Sequence, residues 1–399
     1  MSILKKSLHD LVIWITRLLF GFLPDHVPLT FLGENATSEL CVSMFQTGRR
    51  RALIVTDEGL VAAGLVARVE EALTAAGMES EVYAGVQPDP TFDQVEEGLR
   101  QLKDRQCDTI LALGGGSSMD AAKIIAAAAT NGGDARKLEG MFKVKNPPTP
   151  FCAIPTTAGT GSEGTVAAVI SEPKTHVKKF FVDPKILPEM AALDPSLMLG
   201  LPQPITAATG MDALTHAVES LVARTSRPQT ERWALSAIQL IFTNLPRAYA
   251  DGSDVEARRA MALASFYAGL AFTRTSVGYV HAFAHTFGAY YRTPHGLANA
   301  IALPHVLEFS QEQARAPLAR MAEAIGISEG DEAARASAFI EAVRALKKEV
   351  GIPETLEALR REDIAPIAKQ ALGEAFMNYP VPRYMEQAEA EGLLGAMTE

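Results

Sequence analysis

The chain has 399 residues, of which 48% are hydrophobic and 21% charged, and its formal net charge at pH 7 is −10. At roughly 100–200 residues per domain, this length predicts two or three domains, each large enough to bury a core. The negative charge and the lack of a basic stripe exclude a general affinity for nucleic acid. Three scattered cysteines without a CxxC pair exclude a disulfide framework and favour a reducing, cytoplasmic setting.

The first predicted element is an amphipathic helix in an N-terminal extension, residues 1–28. Its apolar stripe consists of Leu4, Leu8, Leu11, Val12, Ile15, Leu18, Leu19 and Phe22. Arg17 interrupts the apolar run and no small-residue cleavage site follows, which argues against a signal peptide and a membrane span. We interpret the helix as packed on the protein's own surface or on a partner subunit. Peripheral membrane contact, suggested by Trp14 and nearby lysines, is not favoured.

Strand and helix patterns alternate along residues 29–204 and predict an α/β domain. Short apolar runs predict strands at residues 51–56, 81–83, 109–113 and 151–154. Helical spacing of apolar residues predicts helices at residues 60–77, 92–103 and 119–129. Alternation of this kind indicates a parallel sheet covered by helices on both faces.

Long helical patterns follow and predict an all-helical domain over residues 205–399. The predicted helices are residues 207–222, 229–245, 255–272, 278–290, 317–324 and 334–349. No convincing alternating strand pattern occurs among them. Pro202 and Pro204 place the domain boundary near residues 202–206.

A run of three glycines follows the predicted strand at residues 109–113 and opens the next predicted helix. Glycines let the backbone approach phosphate oxygens, and a helix N-terminus offers free N–H groups and a partial positive charge. The turn is therefore a candidate pyrophosphate site, but it matches neither GxGxxG nor the P-loop pattern, and a plain strand–helix turn is the alternative. The candidate residues are Gly114, Gly115, Gly116, Ser117 and Ser118.

Two further segments stand at predicted strand ends. Asp57 follows the strand at residues 51–56, where a carboxylate can accept hydrogen bonds from a ribose and repel a 2′-phosphate, favouring NAD over NADP. The alternative is that Asp57 caps the following helix. The loop PTTAGTG at residues 155–161 carries hydroxyls and glycines suited to binding a cofactor, although by itself it could be a plain turn.

Acidic and histidine side chains recur at helical spacing in the second half of the chain. Asp212 and His216 are four residues apart, as are His281 and His285, which on a helix places each pair on one face. His295 lies between a proline and a glycine, which we interpret as a rigid turn. One carboxylate and three imidazoles suit Fe²⁺ or Zn²⁺. Any single histidine here could instead be structural, but several unpaired ones in an apolar core would be costly.

Four motifs resemble the iron-containing (group III) alcohol dehydrogenase family. They are GGGSSMDAAK at residues 114–123, PTTAGTGSE at 155–163, ATGMDALTHAVE at 208–219 and HAFAHTFGAYYRTPHGLANAIALPH at 281–305. The resemblance covers about residues 32–352. It implies a dehydroquinate synthase-like architecture: an α/β NAD-binding domain at residues 29–204, and a helical metal-binding domain at residues 205–399.

The resemblance also assigns roles to individual residues. It implies that the metal ligands are Asp212, His216, His281 and His295, and that His285 is a proton relay. The cofactor contacts that it implies are Asp57, Gly114, Gly115, Gly116, Ser117, Ser118, Thr156, Thr157, Thr160 and Lys178. Lys179 is the alternative to Lys178.

The activity implied by the resemblance is reversible hydride transfer between a primary alcohol or aldehyde and NAD(H), with Fe²⁺ as the metal and Zn²⁺ as the alternative. A glycerol- or hydroxyacid-type dehydrogenase of the same fold is the nearest alternative, and a non-catalytic metal-binding or membrane-associated scaffold is a distant one. Apolar residues 166–169 with Phe272, Phe283 and Phe287 favour simple aliphatic alcohols, although core packing also explains them. We further expect a cytoplasmic homodimer or a larger even-numbered homo-oligomer.

Two departures from the family pattern concern the ends of the chain. Many members lack an N-terminal extension like residues 1–28. Near the C-terminus, residues 378–383 read NYPVPR, where many relatives have a compact Asn-Pro-Arg. The second departure leaves the packing of the C-terminal helices and the oligomer contacts open.

Overall fold

The structure is a computed structural model that describes residues 9–15, 17, 26–174 and 177–398. Residues 9–15 form helix α1. The described residues belong to two compact units: one comprises residues 26–200, and the other comprises residues 201–398 with the described part of the N-terminal segment. The division between Gly200 and Leu201 is close to the predicted boundary between residues 204 and 205.

A six-stranded parallel sheet forms the centre of the unit of residues 26–200. Its strands are β1 (Leu29–Leu32), β2 (Arg51–Val55), β3 (Glu79–Tyr83), β4 (Thr109–Gly114), β6 (Phe151–Pro155) and β9 (Met190–Leu193), in the order β1-β9-β6-β4-β2-β3. Alternate residues face two separate apolar cores: Leu53 and Val55 belong to one, and Ala52 and Ile54 to the other. The predicted α/β class, with a parallel sheet buried on both faces, is confirmed.

Five helices alternate with these strands. They are α2 (Ala36–Gln46), α3 (Glu58–Ala62), α4 (Leu65–Ala75), α5 (Phe92–Asp104) and α6 (Gly116–Thr130). Residues of α2 and α4 line one core, and residues of α5 and α6 line the other. The predicted single helix at residues 60–77 is wrong in one respect: α3 and α4 are separate helices, with Gly64 between them at φ 75°.

A smaller sheet lies beside helix α6. It contains β5 (Gly140–Met141), β7 (Ala167–Ser171) and β8 (Lys178–Val182) in the order β5-β8-β7, and β7 runs antiparallel to β8. The apolar residues predicted as a pocket wall lie in and just before β7. Of these, Ala168 is buried in the core against α6, so core packing accounts for this position.

The strand order reverses at β2. The chain leaves β2 for β3 on one side of it and then returns to β4 on the other side. Because β2 and β4 are parallel neighbours, their carboxyl ends lie at the same edge of the sheet. Asp57 follows β2 and Gly114 ends β4, so the fold brings these two predicted elements to the reversal, where doubly wound sheets bind their ligands.

The second unit is helical. Its helices are α7 (Gln203–Val222), α8 (Pro228–Ala250), α9 (Val255–Thr275), α10 (Tyr279–Tyr291), α11 (His295–Ser310), α12 (Arg315–Ala324), α13 (Glu332–Glu349), α14 (Ile364–Asn378) and α15 (Gln387–Gly395). No strand occurs among the described residues of this unit, as predicted.

The prediction of a rigid turn at His295 is wrong, because His295 is the first residue of α11. Pro294 caps this helix and Pro304 lies inside it, and prolines at such spacing hide a helical pattern. The helix forms nonetheless because its interior is buried: residues 298–304 are all buried. Burial of α11 therefore outweighs the helix-breaking tendency of its proline.

Helix α1 packs on the helical unit. Ile13 is buried, and the ring of His9 is buried against α14, with its Nδ1 2.6 Å from the carbonyl oxygen of Phe376. Arg224 donates a hydrogen bond of 2.6 Å to Asp10 Oδ1. The described part of the predicted N-terminal helix thus contacts the protein's own surface.

The opposite side of α1 is exposed and apolar. Leu11, Trp14 and Ile15 all face solvent. Of the other residues of the predicted stripe, Val12 is half-buried, and five lie outside the described residues: Leu4, Leu8, Leu18, Leu19 and Phe22. Across the described ranges, no helix combines the length and the apolar character needed to cross a bilayer.

We expect Gly114→Ala to lower the free energy of unfolding by about 1–3 kcal/mol. Gly114 has a φ of 148°, and a Cβ there would lie 2.5 Å from Ser118 Oγ, so alanine meets both backbone strain and a clash. The urea midpoint of unfolding, followed by circular dichroism, measures the loss. Gly392→Ala on α15 is the control, since a Cβ there meets nothing within 4 Å. Equal midpoints for Gly114→Ala and wild type would contradict the expectation.

Candidate metal centre and cofactor loops

Three helices of the helical unit bring four predicted ligands together. Asp212 and His216 stand one turn apart on α7, His281 is on α10 and His295 begins α11. One ligand atom from each side chain lies within 4.8 Å of all the others, and all but His295 are buried. This span is close to the roughly 4.4 Å that two metal–ligand bonds of about 2.2 Å cover. The donor set and its spacing therefore fit one transition-metal ion.

The approach of α11 to α7 depends on a glycine. A Cβ on Gly296 would lie 2.2 Å from the backbone oxygen of Ala208, so the two helix backbones are in direct contact. His295 adjoins this contact, and Asp212 stands one turn beyond it on α7. As a result, His295 Nε2 lies 3.6 Å from Asp212 Oδ1.

A buried carboxylate orients the His281 ring. Glu219 Oε2 lies 2.6 Å from His281 Nδ1, and the same carboxylate accepts hydrogen bonds of 2.8 Å from the backbone N–H groups of Gly278 and Val280. Burial raises the pKa of Glu219 to about 8, and the backbone N–H groups of Gly278, Val280 and His281 oppose the rise. Since Nδ1 faces Glu219, Nε2 is the ring nitrogen that can bind a metal.

The protonation state of His281 also suits a ligand. Burial lowers the pKa of His281 well below its usual range, and the neighbouring histidines His216, His295 and His285 lower it further. The neutral imidazole is the form that coordinates metal ions.

Asn299 marks the point on which the ligands converge. Its side chain is fully buried on α11, and its Nδ2 donates a hydrogen bond of 2.7 Å to Asp212 Oδ1. The same nitrogen lies 3.1 Å from His295 Nε2 and 3.3 Å from His281 Nε2. One donor within reach of three ligand atoms shows that these atoms point to a common position.

His285 lies beside this group without belonging to it. Its ring stacks on His295, with centroids 5.4 Å apart, and meets the ring of His281 edge-on at 6.0 Å. Its Nδ1 lies 2.7 Å from Oε1 of Glu374, a carboxylate on α14. His285 therefore adjoins the candidate metal position as a partly exposed histidine bonded to a carboxylate.

The glycine turn in the α/β unit has open backbone. β4 ends at Gly114 and α6 begins at Gly116, and Gly115, Gly116 and Ser117 are partly exposed. Ser118 is buried and packs against Gly114. The N–H groups of the first turn of α6 thus stand at the sheet edge, which suits a phosphate group.

The threonine loop runs directly against this turn. A Cβ on Gly116 would lie 2.9 Å from Thr160 Cγ2, and one on Gly115 would lie 3.3 Å from Thr157 Oγ1. Thr156 is buried, and its N–H donates to the carbonyl of Gly114. The glycines leave a backbone cradle between the two loops that side chains would fill.

Asp57 caps helix α3, as the alternative interpretation proposed. Its Oδ1 accepts a hydrogen bond of 3.0 Å from the N–H of Leu60. The side chain remains partly exposed at the sheet edge. A cap uses one carboxylate oxygen and leaves the charge in place, so capping and a contact to a ribose are compatible.

Lys178 and Lys179 begin β8 and form different ion pairs. Lys178 Nζ lies 2.9 Å from Asp89 Oδ1, and Lys179 Nζ lies 3.0 Å from Glu139 Oε1. Burial raises the pKa of Asp120 on α6, while the charges of Lys123 and Lys178 oppose the rise. Lys178 is therefore near the helix that the glycine turn opens.

A fully buried lysine, which sequence reasoning missed, joins α6 to the segment that follows the threonine loop. Lys123 Nζ on α6 donates to Ser162 Oγ and Thr165 Oγ1 at 2.8 Å and to the carbonyl of Ala167 at 2.7 Å. Burial lowers the pKa of Lys123 to about 8. The sequence signal that could have identified Lys123 is the motif GGGSSMDAAK, which ends in this lysine.

Sequence and structure comparisons agree with this geometry. Residues 28–195 match the iron-containing alcohol dehydrogenase family, and residues 206–398 match the C-terminal part of the Fe-containing alcohol dehydrogenase family. The 1,3-propanediol dehydrogenase of Citrobacter freundii is 42% identical over 371 residues, covering 90% of this chain and 95% of the relative. The NAD-dependent methanol dehydrogenase of Bacillus methanolicus is 40% identical over 348 residues, covering 86% of this chain and 91% of the relative.

A solved structure of a 1,3-propanediol oxidoreductase superposes with a TM-score of 0.89 at 40% identity, covering 92% of this chain and 98% of that chain. The chain therefore belongs to the iron-containing alcohol dehydrogenase family. The expected class of activity, an oxidoreductase that interconverts alcohols and aldehydes, is confirmed at the level of the family.

We expect Gly296→Ala to weaken metal binding by about tenfold or more, because loss of a group that supports metal ligands costs about 10–100-fold in affinity. The added Cβ would meet the Ala208 backbone at 2.2 Å and push α11 away from α7. Zn²⁺ titration against a competing chelator measures the affinity. Gly288→Ala on α10 is the matched control, since the nearest atom to its Cβ is 3.9 Å away. Identical affinities for the two variants would show that the close approach is not required.

Proposed function

We propose that the chain transfers hydride reversibly between a small primary alcohol or its aldehyde and NAD(H), using one bound metal ion. The observation that carries the proposal is the convergence of ligand atoms from Asp212, His216, His281 and His295 within 4.8 Å. Four such ligands with no thiolate suit Fe²⁺, which we favour from the family, or Zn²⁺.

The chemistry divides between bound groups and side chains. When bound, the metal supplies Lewis acidity that lowers the pKa of an alcohol oxygen, and NAD supplies the hydride acceptor. His285 takes up the proton that the alcohol releases. Its side chain is 19% exposed, so the proton can then pass to solvent.

The α/β unit would hold NAD. The N–H groups at the start of α6 bind the pyrophosphate, next to the cradle between the glycine turn and the loop with Thr156, Thr157 and Thr160. Lys178 stands near this helix and adds positive charge. Asp57 accepts a hydrogen bond from a ribose hydroxyl, and its negative charge repels the 2′-phosphate of NADP.

Small aliphatic alcohols are the proposed substrates. Relatives at 40–42% identity are named as methanol and 1,3-propanediol dehydrogenases, which supports small primary alcohols. Phe283 and Phe287 are fully buried and belong to the core, whereas Phe272 stacks on the ring of His216 at 4.1 Å. A panel from ethanol to octanol with glycerol and a 2-hydroxy acid tests this choice, and glycerol or the acid as best substrate would overturn it.

Assembly and location are also part of the proposal. We expect an even-numbered homo-oligomer, most simply a homodimer, in the cytoplasm. Free cysteines at positions 41, 107 and 152 suit a reducing compartment.

Reconstitution tests the proposed reaction. Metal-stripped protein, reloaded anaerobically with Fe²⁺ or Zn²⁺, is expected to reduce NAD with 1-butanol, and the metal-free protein is expected to be inactive. Absorbance at the NADH band measures the rate. Protein that binds metal but oxidises no alcohol in the panel would contradict the proposal.

Two histidine variants separate ligand from proton acceptor. His281→Ala is expected to lose bound metal, because it removes a ligand. His285→Ala is expected to keep the metal and to lose about 10²–10⁴-fold in turnover, the usual contribution of general acid–base catalysis. Metal content by atomic emission and kcat are measured on the same samples; loss of metal from His285→Ala would make it a ligand instead.

Asp57→Ser tests the cofactor preference. Serine retains the hydrogen-bond acceptor that caps α3 but removes the negative charge. We expect kcat/KM for NADP to rise about tenfold or more relative to NAD, equivalent to roughly 1.4 kcal/mol of removed repulsion, without a change in melting temperature. An unchanged preference would rule out Asp57 as the discriminating charge.

A further inference from the structure

A carboxylate on α14 faces the proposed proton acceptor on α10. Glu374 Oε1 lies 2.7 Å from His285 Nδ1, and the two side chains are 20% and 19% exposed. Glu374 is outside the group of four metal ligands. A carboxylate oxygen can only accept, so the ring nitrogen that faces it donates.

A buried tyrosine holds the same carboxylate oxygen. The hydroxyl of Tyr379 donates to Glu374 Oε1. Burial and the charge of Glu374 raise the pKa of Tyr379 well above its usual range, so the hydroxyl keeps its proton. Oε1 therefore accepts two hydrogen bonds at once, which restricts rotation of the carboxylate.

Tyr379 belongs to the segment NYPVPR, residues 378–383, that departs from the family pattern. Hydrogen bonds hold the backbone on both sides of Tyr379. Ser276 Oγ donates to the carbonyl of Asn378 at 3.2 Å, and the N–H of Arg224 donates to the carbonyl of Pro380 at 2.8 Å. The tyrosine is thus presented by an anchored backbone.

The arrangement has the form of a base, an orienting carboxylate and a group that orients the carboxylate. In such an arrangement, the hydrogen bond at one ring nitrogen of the histidine fixes its tautomer, and the other ring nitrogen is left to act as the base. Here Nδ1 donates to Glu374, so Nε2 is the basic nitrogen. The stacked ring of His295 further restricts the plane of His285.

We propose that Glu374 is a positioning residue that holds His285 in the Nδ1–H tautomer, and that Tyr379, supplied by residues 378–383, fixes Glu374 for this task. The inference rests on the proposed function in so far as His285 takes up the alcohol proton. The orientation itself is independent of the reaction.

Kinetics test the consequence for turnover. Glu374→Leu is expected to lower kcat about 10–100-fold, the range found when the hydrogen-bond partners of metal-ligating histidines are removed. The KM for NAD and the amount of bound Zn²⁺ are expected to stay unchanged. Glu374→Asp keeps an acceptor and is expected to recover most of kcat. A Glu374→Leu variant that keeps the wild-type kcat, or a loss that Glu374→Asp does not restore, would overturn the proposal.

A matched pair of tyrosine variants controls for general effects of removing a phenol hydroxyl. Tyr379→Phe is expected to lower kcat, by less than Glu374→Leu. Tyr291→Phe removes a hydroxyl that donates to Asp363 at 2.7 Å, a carboxylate that also accepts a hydrogen bond from Arg360, and is expected to leave kcat unchanged. Equal effects of the two variants would remove Tyr379 from the proposal.

Spectroscopy tests the tautomer without reference to activity. Proton–nitrogen correlation spectra of the ¹⁵N-histidine-labelled full chain with Zn²⁺ distinguish protonated from unprotonated ring nitrogens, and His285→Ala identifies the His285 signals. We expect Nδ1 to carry the proton in wild type and the Nδ1–H form to be lost in Glu374→Leu. A wild-type ring protonated on Nε2 would overturn the proposal. If the wild type oxidises no alcohol, the proposed function fails, and the spectra still decide the inference.

Discussion

Direct backbone contact between α7 and α11 is the constraint on which the candidate metal centre depends. Gly296 lies so close to the carbonyl of Ala208 that no side chain fits between them. Because Asp212 stands one turn beyond Ala208 and His295 adjoins Gly296, this contact brings two ligands from distant stretches of the chain to 3.6 Å. Helices separated by ordinary side chains lie about 8–10 Å apart, axis to axis, and would leave these groups out of reach of one ion.

Helix α10 carries two histidine–carboxylate hydrogen bonds, one turn apart. The Nδ1 atom of His281 bonds to Glu219, and the Nδ1 atom of His285 bonds to Glu374. Each carboxylate comes from a different helix, α7 or α14, so α10 is held from two sides. Nε2 of His281 faces the other candidate ligands, whereas Nε2 of His285 belongs to a partly exposed ring. In the proposed mechanism, the same histidine–carboxylate pairing serves metal binding at His281 and proton transfer at His285.

The sequence was informative where local pattern and tertiary structure agree. Buried runs such as β4, and the i, i+4 spacing of Asp212 and His216, were readable because strand burial and helix geometry act within a few residues. Helix α11 was hidden by Pro304, since its stability comes from burial. Glu219 and Glu374 could not be found, because an acidic residue in a helix normally marks a solvent-exposed face, and only the fold shows which partner it meets. For Asp57, pattern alone could not separate a cap from a ligand contact; the structure shows the cap.

The contacts of α1 have a consequence for protein engineering. His9 contacts the carbonyl of Phe376, two residues from Glu374, and Ile13 on the same helix is buried. Trimming the chain to begin near residue 28 would therefore remove a cover from α14 and leave apolar surface open to water. A chain shortened for crystallisation or expression would thus be altered near Glu374, the residue proposed to orient His285.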